Sequence, residues 1–204
     1  MELKSIYVLT ATLISLTAYI PYVRDVLNGK TRPHIFSWFV WSTLTGIAFF
    51  GQVAGGAGSG ALVLGFTTLA CFFITILSLK KGTRDVKPVD WLAMAGALVA
   101  LFFWLVTKSP FWSVIIITAT DLLATFPTIR KTYNNPYQET GSFYLLNTVK
   151  FLLAIMALDK YTLITSLYLV YLLLANAAIF LLIYLRRRQV KDETIFFLKN
   201  SKKK

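Results

Sequence analysis

The chain has 204 residues, of which 56% are hydrophobic and only 15% are charged, and its mean hydropathy is +0.64. Soluble domains carry about 25% charged residues, so this composition excludes an ordinary soluble fold. The net charge of +12 does not indicate a nucleic-acid-binding protein. Such proteins place basic residues along a solvated face, whereas here they lie between long apolar segments. The single cysteine, Cys71, excludes a disulfide within the chain.

Seven apolar segments are each long enough to cross a hydrocarbon core of about 30 Å. The first is too long for the apolar core of a cleaved signal and lacks a small-residue cleavage site, so we expect it to persist as helix 1. We therefore predict an all-α integral membrane protein with seven transmembrane helices. The segments cover about 5–23, 35–54, 59–79, 90–107, 110–129, 141–158 and 161–185.

Basic residues are distributed unequally between the two ends of these segments. The loops after the first, third and fifth segments carry nine Lys and Arg, and the tail 186–204 carries eight. The other end carries three, Lys4, Lys108 and Lys160. The positive-inside rule then places the N-terminus outside and the tail in the cytoplasm, in a plasma (inner) membrane. We expect the tail to contact anionic membrane lipid as well.

The sequence contains an internal repeat with an offset of 106 residues. Helix 1 ends in Tyr-Ile-Pro-Tyr-Val-Arg (19–24), and helix 5 ends in Thr-Phe-Pro-Thr-Ile-Arg (125–130). The basic pair 80–81, which follows helix 3, falls on 186–187 at the same offset. Helices 1–3 and helices 5–7 are therefore predicted to be two copies of one three-helix unit.

This repeat predicts the organisation of the single membrane domain, 1–204. The first copy covers about 5–79, a connector helix covers about 90–107, and the second copy covers about 110–185. One unit and the connector together cross the membrane an even number of times, so both copies point the same way. Two parallel copies are related by a pseudo-two-fold axis along the membrane normal, and they enclose a central axial space.

In both copies, the proline is followed by a short loop that contains Lys30-Thr31 or Glu139-Thr140, and then by a serine and an aromatic residue. This pattern resembles the signature of the PQ-loop superfamily, which includes the SWEET sugar transporters and lysosomal amino-acid exporters. The resemblance covers about 15–42 and 121–147 by motif, and the whole chain by its helix plan and predicted topology. It implies a SWEET-like fold and a role in moving a small solute through the membrane.

Pro21 and Pro127 occupy matching places in the last turns of helices 1 and 5. Each removes a hydrogen-bond donor and frees the carbonyl four residues earlier. The prolines either end their helices or act as paired hinges, and the resemblance implies hinges that close the cytoplasmic end. Arg24 and Arg130 follow them in the two copies, and with Asp25 they are candidates for a cytoplasmic gate.

Two ionisable residues lie within the predicted membrane spans, Asp121 in helix 5 and Lys150 in helix 6. Such a group costs about 2.5–3.5 kcal/mol on insertion scales and is tolerated toward a cavity or a partner. Asn147 and Asn176 lie at a similar depth. Either the charged residues form a structural ion pair, with the amides as interhelical hydrogen bonds, or all four residues line a mid-membrane binding site. Their counterparts in the first copy are Ser15 for Asp121, Ser42 for Asn147, Thr45 for Lys150 and Ala70 for Asn176.

The remaining candidate residues are few. Trp41, one turn into helix 2, is expected to face the axial space, and the other tryptophans are expected near the membrane interfaces. The resemblance maps Asn176 onto a helix 7 asparagine at the SWEET sugar site. His34 is predicted to be interfacial, and with one His and one Cys no metal cluster is expected. We expect no cofactor, and no Ser-His-Asp set is recognisable.

The sequence therefore predicts a transporter or facilitator rather than an enzyme. A site with one group of each sign and two amides suits a neutral or zwitterionic solute, either a sugar or an amino-acid-like molecule. One alternative is a PQ-loop-type receptor or membrane assembly protein that does not transport its ligand. Another is a retinal protein with Lys150 as the Schiff base and Asp121 as counter-ion, although such proteins carry the lysine in helix 7, and 161–185 contains none.

Overall fold

The computed structural model describes residues 2–83, 86–107 and 109–201. These residues form seven α-helices and two short 3-10 turns, without a β-strand, which confirms the all-α class. The α-helices are α1 (Glu2–Leu27), α2 (Ile35–Ala54), α3 (Ala61–Lys81), α4 (Pro88–Thr107), α5 (Pro110–Asn134), α6 (Gly141–Met156) and α7 (Leu163–Ser201). The 3-10 turns are Gly58–Gly60 and Pro136–Gln138.

Four helical stretches are long and apolar enough to cross a membrane, namely Leu3–Leu27, Gly58–Lys81, Pro110–Asn134 and Leu163–Val190. α6 is a shorter apolar helix. The helices expose leucines and phenylalanines on their outer faces, as Leu69 does with 68% of its surface. Side chains of this kind suit contact with lipid, because the helical backbone satisfies its own hydrogen bonds. The chain is therefore an integral membrane protein.

The helices do not pack in chain order. α3 contacts both α1 and α2, and α7 contacts both α5 and α6. Two further contacts, α1 against α6 and α2 against α5, join the first three helices to the last three. α4 packs on α5 and α2.

The loops meet at two ends of the bundle. At one end, here called the basic end, the Thr83 backbone N–H donates to the Pro33 carbonyl at 2.9 Å. At the same end, the Thr31 and Thr140 hydroxyls are hydrogen-bonded at 2.7 Å. The loops of the predicted cytoplasmic side therefore lie together.

The N-terminus lies at the other end, here called the N-terminal end. Lys4 Nζ donates to the Leu158 carbonyl at 2.8 Å and is 3.0 Å from Asp159 Oδ1. The Asp159 backbone N–H donates to the Ala57 carbonyl at 3.3 Å. These contacts join α1, the α2–α3 turn and the α6–α7 turn.

Both prolines lie inside their helices rather than ending them. α1 continues past Pro21 to Leu27, and α5 continues past Pro127 to Asn134. A proline removes only one intrahelical hydrogen bond, and basic side chains in the last turn interact favourably with the helix dipole, as Lys131 does in α5. The predicted tail begins as a continuation of α7, and 202–204 lie outside the described residues.

Two apolar clusters fill the space between the helices. The cluster toward the N-terminal end includes Leu64, Leu158 and Leu169, all fully buried. The cluster toward the basic end includes Tyr22 and Phe143. A cavity lined by members of both clusters lies between them.

Candidate functional site

The central cavity comprises about 500 Å³ of space between atoms, which includes space open to the surroundings. Among the residues that the structure describes, every helix except α4 contributes to its lining. The structure brings together in this lining all five residues that the sequence predicted for a binding site. They are Trp41, Asp121, Asn147, Lys150 and Asn176. Their role in binding stays a prediction.

Asp121 is only 1% exposed, and neutral groups hold its carboxylate. Tyr168 OH donates to Oδ2 at 2.7 Å, and Thr125 Oγ1 lies 3.5 Å from Oδ1. Trp41 lines the same cavity. Burying a carboxylate is costly unless donors replace water, and the Tyr168 and Thr125 hydroxyls supply donors without supplying a positive charge.

Lys150 is completely buried, and its ammonium has few partners. Nζ donates to Thr67 Oγ1 at 3.2 Å and lies 4.1 Å from the centre of the Phe151 ring. The Tyr19 ring centre is 5.6 Å away. Cation–π contacts of this kind stabilise an ammonium only in part. The ammonium therefore keeps hydrogen-bonding capacity in the wall of the cavity.

Asp121 and Lys150 do not form a salt bridge in the part of the chain that the structure describes. The alternative of a structural ion pair between α5 and α6 is therefore not what the structure contains. The lysine lies on α6 and the acid on α5, and different elements supply their partners. Both charged groups therefore lie in the cavity wall with partners other than each other.

The two asparagines do not join helices, contrary to one of the two interpretations. Asn147 Nδ2 donates to the Phe143 carbonyl at 2.9 Å, and Asn176 Nδ2 donates to the Leu172 carbonyl at 2.8 Å. Both acceptors are one turn back in the same helix. Within the described residues, neither amide oxygen accepts a hydrogen bond. Each side chain therefore retains an acceptor for a solute in the cavity.

Sequence reasoning missed the groups that hold the charged residues. Tyr168 could have been suspected, because a tyrosine in the middle of a membrane span is unusual outside the interfacial belts. Thr67 carries no such signal, since threonines in helices commonly bond to their own backbone, as Thr67 also does to the Val63 carbonyl at 2.7 Å. The predicted counterpart Ala70 does not line the cavity.

Aromatic side chains close the cavity toward the basic end. Tyr22 and Phe143 have ring centres 4.6 Å apart, and Trp38 Nε1 donates to Tyr22 OH at 3.2 Å. The prediction that Trp38 is interfacial is wrong, because it is 2% exposed and packs in this layer. Trp91 and Trp112 are more than half exposed near helix ends, as the sequence predicted. The side chain of Trp104 lies outside the described residues.

A polar network lies beyond the aromatic layer at the basic end. Glu139, 2% exposed, forms an ion pair with Lys131 and accepts from Tyr144 OH at 3.2 Å. Thr140 Oγ1 donates to Asp25 Oδ2 at 3.0 Å and contacts Thr31, which links the matching loops of the two predicted copies.

The predicted gate residues have different positions at this end. Arg24 lies 3.7 Å from Asp25, and 69% of its side chain is exposed. Arg130 is half-buried near the end of α5. The ion pair that reaches the α5–α6 loop comes from Lys131, one residue later.

The sequence predicted that His34 is interfacial. In the structure it is buried, with 3% of its surface exposed. Its Nδ1 is 3.3 Å from Ser37 Oγ, and its Nε2 is 3.5 Å from Asp90 Oδ2. A Ser-His-Asp chain is therefore present, although the sequence did not reveal it. The serine hydroxyl donates to the Ala124 carbonyl at 3.1 Å and is itself buried, which does not suit a nucleophile.

No family model matches the chain, and no curated protein or solved structure matches it. The assignment of a function therefore depends on the cavity and its residues.

Proposed function

We propose that the chain is a transporter or facilitator of a small neutral or zwitterionic solute and works by alternating access. The observation that carries this proposal is a central cavity, lined by six helices, whose wall contains a buried acid and a buried base not paired with each other. The resemblance to the PQ-loop superfamily points the same way. In this proposal, seven helices cross the membrane, and the N-terminus lies outside.

The packing of the helices supports two parallel repeats. Exchanging α1, α2 and α3 for α5, α6 and α7 converts the contact of α1 with α6 into that of α5 with α2. The same exchange converts the contacts of α3 within the first copy into those of α7 within the second. The hydrogen bond between Thr31 and Thr140 then joins equivalent loops at the proposed axis.

The groups around the cavity support a neutral or zwitterionic solute. Lys150 has a neutral oxygen and aromatic rings as partners, so an anionic or hydroxyl oxygen of a solute would improve its environment. Asp121 is available to a cationic or hydroxyl group, and the amides of Asn147 and Asn176 provide two acceptors. With the acid and the base both ionised, the site has no net charge that would have to be matched by an ion.

Closure at both ends supports alternating access. The aromatic layer and the polar network close the basic end, and the contacts of Lys4 with Leu158 and Asp159 join helices at the N-terminal end. Pro21 and Pro127 precede the basic-end loops in α1 and α5 by about two turns. Bending at these positions would separate the loops at the basic end without unfolding either helix.

Exchange of radiolabelled solutes in sealed vesicles tests the proposal. The purified chain is reconstituted, and amino acids, sugars and other neutral solutes are screened for counterflow. We expect saturable counterflow of at least one solute, with Lys150→Met inactive. Lys160→Met, which changes an exposed lysine in the α6–α7 turn, is the matched control and should retain counterflow. A solute that binds to the protein without counterflow would favour the receptor alternative.

A further inference from the structure

We propose that a sodium ion binds in a second, smaller cavity between α2, α4 and α5, with Asp90 as its anionic ligand. This cavity encloses about 140 Å³ between atoms, and none of its lining residues lines the central cavity. The lining consists of Phe36, Ser37, Val40, Asp90, Ala124 and Pro127. The proposal concerns binding of the ion and does not depend on the proposed transport function.

Asp90 is completely buried, yet only one of its two carboxylate oxygens has partners. Oδ2 accepts the Lys87 backbone N–H at 2.6 Å and lies 3.5 Å from His34 Nε2. Oδ1 is buried and has no hydrogen-bond partner in the described part of the chain. Burying a carboxylate oxygen without a hydrogen-bond partner costs free energy. A ligand bound to this atom would remove that cost.

His34 approaches this carboxylate at Oδ2 and leaves Oδ1 without a hydrogen-bond partner. The His34 side chain caps the N-terminus of α2, and Nδ1 accepts the Ser37 backbone N–H at 3.4 Å. In this arrangement the Nε2 side of the ring is directed at Asp90 Oδ2. Lys87 is exposed and contributes its backbone to Asp90. A cation at Oδ1 would balance the charge of the carboxylate and give this oxygen a ligand.

The other polar atoms of the cavity are oxygens. Ser37 Oγ and the Ala124 carbonyl oxygen are 3.1 Å apart, and both residues line the space that Asp90 also lines. Hard cations prefer carboxylate, hydroxyl and carbonyl oxygens. Pro127 also lines this cavity and deprives α5 of a backbone donor at this level, although the helix stays continuous.

The size and charge of the cavity select among cations. It has no room for the centre of a water molecule, so a water cannot satisfy Asp90 Oδ1. Na⁺ is smaller than a water molecule, whereas K⁺ is about as large as water. Mg²⁺ keeps several waters and needs an octahedral shell, and a single carboxylate balances a single positive charge. Sodium therefore fits best.

Thermal unfolding of the full chain in detergent tests the site. The melting temperature is measured in sodium, potassium and choline chloride at equal ionic strength, and radiolabelled sodium is used to measure binding directly. We expect the melting temperature to rise with the logarithm of the sodium concentration only, because a ligand that binds the native state stabilises it by mass action. Asp90→Asn should abolish this response and the binding of labelled sodium.

Two further variants keep the proposal falsifiable. Ser37→Ala removes one oxygen ligand and should weaken sodium binding several-fold. Asp159→Asn removes an exposed acid at the other end of the bundle and should leave the sodium response unchanged. Equal responses to the three salts would overturn the proposal, as would stabilisation by acid pH without sodium dependence, which would make a proton the ligand. If Asp90→Asn does not fold, an unchanged sodium affinity in Ser37→Ala overturns it.

Discussion

Asp121 and Lys150, the two charged side chains in the wall of the central cavity, are stabilised by different kinds of partner. Asp121 accepts hydrogen bonds from neutral donors, whereas Lys150 lies over the Phe151 ring and donates to Thr67. A structural ion pair would have satisfied both residues at once and would have removed both from the reach of a solute. Their separation therefore favours a binding role over a structural one.

The first prediction concerns the coupling between these two residues. Because Asp121 and Lys150 share no direct contact, the effects of Asp121→Asn and Lys150→Met on the free energy of unfolding should add to within about 0.5 kcal/mol. Chemical unfolding in detergent of the wild type, the two single variants and the double variant measures this coupling. A coupling of several kcal/mol would contradict the structure, and full transport in a stable double variant would contradict the site assignment.

Tyr168 supplies the second prediction at this scale. Tyr168→Phe removes the 2.7 Å hydrogen bond to Asp121 while keeping the ring, and it should cost about 1.5–3 kcal/mol of stability, as for hydrogen bonds to charged groups. Tyr161→Phe removes an exposed hydroxyl that lies 3.4 Å from the Met156 carbonyl and serves as the control. Unfolding in detergent should show a much smaller loss for the control. Equal losses would mean that Tyr168 does not hold the carboxylate.

At the scale of elements, the prolines and glycines determine where helices bend and turns close. Pro127 lies inside α5, where it costs a hydrogen bond but leaves the helix continuous. Gly56 and Gly58 have positive φ angles of 77° and 63° in the turn between α2 and α3. The Ala57 carbonyl in this turn accepts the Asp159 backbone N–H, which ties the turn to the α6–α7 turn.

Replacing Pro127 tests whether it is a hinge. Pro127→Ala restores the backbone donor to the Leu123 carbonyl, so the free energy of unfolding should rise by about 1–3 kcal/mol while transport slows. Pro88→Ala is the control, because Pro88 begins α4, where a helix has no carbonyl to accept its N–H. Unfolding and vesicle counterflow are measured on the same preparations. Unchanged transport in a stabilised Pro127→Ala variant would show that the proline is not a hinge.

Alanine substitutions at Gly29 and Gly58, which have similar φ angles, distinguish the cost of backbone strain from the cost of steric crowding. A Cβ added at Gly58 would lie 1.7 Å from Asp159 Oδ2, whereas one at Gly29, with φ of 72°, would meet nothing within 4 Å. Gly29→Ala should therefore cost only the left-handed strain of about 1–2 kcal/mol. Gly58→Ala should cost more and displace Asp159 from Lys4. In an Asp159→Ala background, the additional loss of stability in Gly58→Ala over Gly29→Ala should disappear. If this additional loss persists, the added Cβ does not clash with Asp159.

At the scale of the whole molecule, loops from both halves of the chain close each end of the bundle. The polar network joins the basic-end loops, and Lys4 with Asp159 joins α1 to the α6–α7 turn. Opening one end while the other stays closed requires that these two sets of contacts break in turn. The two ends also differ in charge, because most Lys and Arg lie at the basic end.

This charge difference leads to a prediction of topology. In intact cells, a membrane-impermeant thiol reagent should label Ser59→Cys from outside and should not label Lys81→Cys, since both positions are exposed and lie at opposite ends. The background is Cys71→Ala, which removes the buried native thiol. Permeabilised cells should allow labelling of both. Labelling of position 81 alone from outside would reverse the orientation.

The sequence by itself determined the helical membrane class, the approximate bounds of the helices and the positions of Asp121 and Lys150 within them. Those features follow from the local cost of placing polar groups in hydrocarbon, which each segment carries wherever it packs. Only the tertiary structure decided that Asp121 bonds to Tyr168, that Lys150 bonds to Thr67 rather than to Asp121, and that Asp90 is buried with one oxygen unpartnered. These contacts join residues far apart in the chain, and they depend on which helix faces lie together, which periodicity within a single segment does not specify.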